Sequence, residues 1–114
     1  MPAIPALLVL TLAAFLEAGG DALVRKALGA TGAMRGLWLI SGMFILVSYG
    51  VVVNLPSWNF GRLLGIYVSL FFVTAQIISY IGFRQLPSIP VLVGGSLIVT
   101  GGLMISLWPD SATN

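Results

Sequence analysis

Three charged side chains in the first apolar stretch of the chain have types and a spacing that could do chemistry. Glu17, Asp21 and Arg25 stand four residues apart in succession, so in a helix they form one row, each about one turn from the next. Glu17 lies near the end of an apolar run over residues 4–20, in Ala13-Ala14-Phe15-Leu16-Glu17-Ala18-Gly19-Gly20. Leu10, Ala13, Ala14 and Gly20 belong to the same side, and small neighbours leave space beside a carboxylate for a ligand or a closely packed helix. An acid at membrane depth costs roughly 2.5–3.5 kcal/mol on insertion scales, so it belongs in a bundle interior or a wet cavity. A carboxylate there can exchange a proton for a cation. The competing reading makes Asp21 and Arg25 an interfacial ion pair with Glu17 beneath it.

The elements that must position this row are membrane spans. Of 114 residues, 59% are hydrophobic and 7% charged, with a mean hydropathy of +1.10, far from the roughly 25% charged residues of soluble domains. About 20 apolar residues cross a hydrocarbon core about 30 Å thick. Four such segments are expected, at about residues 4–22, 36–55, 61–83 and 88–108, followed by a polar tail at 110–114. The fold class is therefore an all-α membrane protein of four transmembrane helices joined by short loops, in one domain. The first apolar run lacks a basic segment before it and further spans follow, so it is read as mature structure rather than a secretory signal.

Each boundary has a marker. Arg25-Lys26 and Gly29-Ala30-Thr31-Gly32 are expected to end the first helix and form the longest loop, Pro56-Ser57 to break the second, and Pro87 and Pro90 to bracket the start of the fourth. Short loops predict antiparallel packing of consecutive helices. Trp38, Trp58 and Trp108 fall near helix ends, where amphipathic rings favour the interface. Arg25, Lys26, Arg35 and Arg84 share one side of the membrane while Arg62 lies on the other, so the positive-inside rule puts both termini outside.

Cysteine and histidine are absent, which removes disulfides, thiolate chemistry, zinc sites and histidine-based catalysis. No enzymatic activity, cofactor or metal is expected. Five basic and three acidic residues give a net charge of +2 with no basic stripe, so nucleic acid is not a partner.

The third span carries Tyr67, Ser69, Thr74, Gln76 and Tyr80. Ser69, Gln76 and Tyr80 form one polar stripe, with Tyr67 and Thr74 on a neighbouring row. Ser41 and Ser48 lie seven apart on the second span, where serine commonly bonds its own backbone. Gln76 and Ser41 are candidates for a cavity lining. Gly61 and Gly65, and the pairs Gly94-Gly95 and Gly101-Gly102, read as helix packing positions, the fourth span also offering a dimer face. Four helices do not easily enclose a substrate path, so a dimer is expected to bring two copies of Glu17 to one midplane cavity.

The chain resembles the small multidrug resistance transporters of the drug/metabolite transporter superfamily, including their YnfA-like branch. The resemblance rests on four short spans, Leu16-Glu17-Ala18-Gly19-Gly20, the basic Lys26, Asn54-Leu55-Pro56 and the glycine-rich fourth span. Gly61-Arg62-Leu63-Leu64-Gly65-Ile66-Tyr67 with Thr74-Ala75 is most similar to the YnfA-like branch. Leu64 and Val68-Ser69 depart from the residues usual in drug exporters, and Gly19 or Gly20 replaces the tryptophan of guanidinium exporters.

The resemblance implies an antiparallel dimer in the inner membrane, exchanging protons for a small cationic or amphipathic substrate at Glu17. Tyr67 would be the aromatic that stacks on the substrate through cation–π attraction. Asp21 is an acid the common pattern lacks. The charge bias implies, for an antiparallel pair, either a related partner subunit of opposite orientation or a bias too small to matter, so both a homodimer and a heterodimer stay open. A second reading is a four-helix accessory subunit, for instance of a lipid-linked sugar flippase, in which Glu17 serves assembly alone.

Overall fold

The computed structural model describes residues 2–108, and the polar tail expected over 110–114 lies outside them. Four helices follow in order, α1 (Ala3–Leu28), α2 (Gly32–Val53), α3 (Phe60–Phe83) and α4 (Ile89–Leu107), with no strand among the described residues. All four are long and apolar enough to cross a membrane.

The first helix is longer than its hydropathy suggests. Arg25 and Lys26 end the apolar window but not the helix, because both are good helix formers and their charge is favourable at a helix C-terminus. The helix stops at Gly29, whose N–H reaches the Lys26 carbonyl at 3.2 Å. Consequently α2 begins at Gly32 rather than near residue 36, and the connection expected to be longest is the shortest of the three. The proline markers fare better: α2 ends ahead of Pro56, and Pro90 sits in the first turn of α4, where its missing N–H costs nothing.

The helices stand side by side in the order α2, α1, α3, α4. Consecutive α1 and α2 pack together, as do α3 and α4, but α2 and α3 do not pack backbone to backbone, because α1 lies between them. The smallest extent of the molecule is 18 Å, less than two helix diameters of about 10–12 Å each. This is a slab of helices rather than a closed bundle. Large apolar side chains such as Phe44, Val47, Leu97 and Leu107 remain exposed on α2 and α4.

Small residues set the close approaches. A Cβ on Gly20 would stand 3.3 Å from the Gly42 carbonyl oxygen, and one on Gly42 would stand 3.1 Å from that of Gly20, so α1 and α2 cross nearly backbone to backbone. Between α3 and α4 the contacts are made by Gly65 against Ile105, Gly95 against Phe72 and Gly102 against Ser69. Gly61, Gly94 and Gly101, expected to serve as packing positions too, have open space where a Cβ would be. Neighbouring residues on a helix point about 100° apart, so only one glycine of each pair can face α3.

Arg62 ties α4 to α3. Its Nη1 donates to the Ile105 carbonyl at 2.7 Å and its Nη2 to that of Ser106 at 3.4 Å, placing a cation on the unsatisfied carbonyls that end α4. Arg62→Met keeps the aliphatic stem and removes both bonds. It is expected to lower stability by about 1–2 kcal/mol and to speed amide exchange in the last turn of α4, as hydrogen-exchange mass spectrometry can read.

Candidate functional site

The buried core gathers where α1, α2 and α3 come nearest: Leu10, Ala13 and Ala14 from α1, Val53 from α2, and Leu63, Ile66 and Tyr67 from α3. The small side chains of α1 let α3 approach, and Tyr67 fills the space that results, 4% exposed. Its hydroxyl donates to Glu17 Oε1 at 2.8 Å. Glu17 is half-buried, about midway along α1. In hydrocarbon a phenol and a carboxylate each need such a partner.

Tyr67 is the middle of an aromatic run. The Tyr49 ring from α2 lies 5.8 Å from it at 32°, and the Phe71 ring lies 6.0 Å away at 31°. Tyr49 was not singled out by sequence reasoning. Its one available signal is that it is the only tyrosine in the second apolar run. The Tyr67 and Thr74 row is the one buried on α3. The stripe of Ser69, Gln76 and Tyr80 has other work: Ser69 Oγ donates to the Ile98 carbonyl of α4 at 2.8 Å, and Tyr80 is exposed beneath the Arg84 guanidinium.

Asp21 lies one turn from Glu17 toward the end of α1 that bears Arg25 and Lys26. It is exposed and lines a cavity of about 230 Å³ between α1 and α3, with Arg25, Phe71, Ser79, Phe83 and Gln85. The Arg25 guanidinium sits over the Phe83 ring, 5.5 Å from its centroid, rather than on Asp21, so the ion pair that was the competing reading is not formed. Lys26 Nζ lies 5.7 Å from the same ring and from that of Trp38. Ser41 and Gln76 are half-buried and line neither this cavity nor the Glu17 contact. Ser48 donates to the Phe44 carbonyl of its own helix at 2.9 Å.

Four apolar spans, with a carboxylate and a phenol joined across two of them, define a multi-pass membrane protein with a polar centre in contact with lipid outside. A UPF0060 membrane protein from Herpetosiphon aurantiacus is 32% identical over 107 residues, covering 91% of this chain and 94% of that protein. The chain belongs to the UPF0060 membrane protein family. No protein-family model and no solved structure matches it.

Proposed function

We propose that the protein is a proton-coupled antiporter subunit of the small multidrug resistance type, exporting small cationic or amphipathic compounds across the inner membrane. Glu17 would hold a proton and the substrate by turns. The observation that carries this reading is the Tyr67 hydroxyl on Glu17 Oε1 at 2.8 Å, within a membrane span. One donor steadies one carboxylate oxygen and leaves the other to take a proton or an ammonium group. The half-buried Tyr49 and Phe71 rings packed against Tyr67 offer faces that attract organic cations. Transport rather than catalysis suits a chain with no histidine or cysteine.

A second subunit completes the reading. The slab of four helices does not surround Glu17, and a dimer of identical or related subunits would supply the other wall. Adding tetraethylammonium to the detergent-solubilised protein in weak buffer is expected to release protons as the cation displaces them. Saturable binding without proton release would overturn the exchange and favour an accessory subunit in which Glu17 serves assembly.

A further inference from the structure

We propose that the cavity between the basic ends of α1 and α3 is a second organic-cation site, separate from Glu17, and that Arg25 occupies its aromatic wall when no ligand is bound. The cavity holds about 230 Å³ and joins one carboxylate, Asp21, to two aromatic rings, Phe71 and Phe83, with Ser79 and Gln85 also in its lining. A carboxylate and aromatic faces together are what an alkylammonium ion requires. The Phe83 ring already acts as a cation seat, since Arg25 and Lys26 place their charges 5.5 and 5.7 Å from its centroid. Asp21 is left exposed, with its row neighbour Arg25 turned to that ring.

The charges follow an order along α1, from Arg25 at the end through Asp21 to Glu17. A cation arriving from the basic end meets Arg25 before Asp21 and competes with it for Phe83. Phe71 lines this cavity and its ring also lies 6.0 Å from that of Tyr67, so it borders both places. Binding at the cavity does not depend on the antiport reading; only its use as an entry station for Glu17 does.

Equilibrium dialysis of radiolabelled tetraethylammonium against protein in non-ionic detergent tests this. Glu17→Gln is expected to retain one saturable cation site, and adding Asp21→Asn to it to weaken that site by roughly tenfold or more, the loss of one close counter-charge. Arg25→Gln is expected to tighten it by roughly twofold to fivefold, because one of the two internal cations on Phe83 no longer competes for the ring and Lys26 alone remains. A gain in affinity cannot come from misfolding. The proposal is overturned if Glu17→Gln alone removes all saturable binding, or if neither the Asp21 nor the Arg25 substitution changes the affinity of what remains. Proton-coupled transport surviving in Glu17→Gln would instead sink the antiport reading and leave the cavity to be judged by Asp21 and Arg25.

Discussion

Glu17→Gln is expected to abolish proton-coupled cation exchange in proteoliposomes while the four helices still insert and pack. Glutamine has nearly the shape of the glutamate, and its amide oxygen can accept the Tyr67 hydroxyl as Glu17 Oε1 does at 2.8 Å. The Leu10, Ala13 and Ala14 contacts with α3 do not involve the carboxylate, so the core at this level is retained. What disappears is the charge and the proton. A carboxylate about 4 Å from a cation is worth roughly 4 kcal/mol at an effective dielectric near 20, or about a thousandfold in affinity. Exchange driven by a pH gradient should therefore fall to the level of empty vesicles. Uptake at the wild-type rate by the variant would remove Glu17 from the mechanism.

The second large effect separates adjacent glycines. Gly102→Ala would drive its Cβ into Ser69, whose hydroxyl is already committed to the Ile98 carbonyl, and Gly95→Ala would drive its Cβ into the Phe72 ring. Each is expected to destabilise by about 1–3 kcal/mol, as overpacking does. In contrast, Gly94→Ala and Gly101→Ala meet nothing, so they should be neutral or stabilise α4 by about 0.5–1 kcal/mol through reduced backbone freedom in the unfolded chain. Thermal unfolding in detergent reads all four. Equal effects within each pair would mean that α4 does not present Gly95 and Gly102 to α3.

The contrast matters because α4 packs on α3 alone, held by these two glycines, Ser69, the Ile105 contact at Gly65 and the two Arg62 bonds. It stands at one end of the slab, as α2 does at the other. Its remaining surface, including Leu97, Leu103 and Met104, is apolar and exposed.

Much of this was legible along the chain. Four spans follow from hydropathy because lipid forbids unpaired backbone, which leaves the helix as the one economical solution for an apolar run of this length. Glu17 is visible because a carboxylate inside such a run is costly wherever it points. The boundaries were legible where proline or glycine acts locally. They were misread at Arg25 and Lys26, because hydropathy measures transfer to lipid and not the propensity to stay helical. The family resemblance led to Tyr67, yet nothing within the chain pattern showed which of its neighbours it would bond.

Sequence alone thus determined the number of spans, the acid in the first of them and the absence of thiol and imidazole side chains. Tertiary structure decided the lateral order α2, α1, α3, α4, the bond from Tyr67 to Glu17 across 50 residues, the choice of Gly95 and Gly102 over their neighbours, and the cavity between Asp21 and Phe83. The physical reason is that hydropathy is a property of each segment by itself, whereas helices with equally apolar exteriors are sorted by where small residues let backbones meet. On α4, apolar on every side, no stripe marks the face in advance.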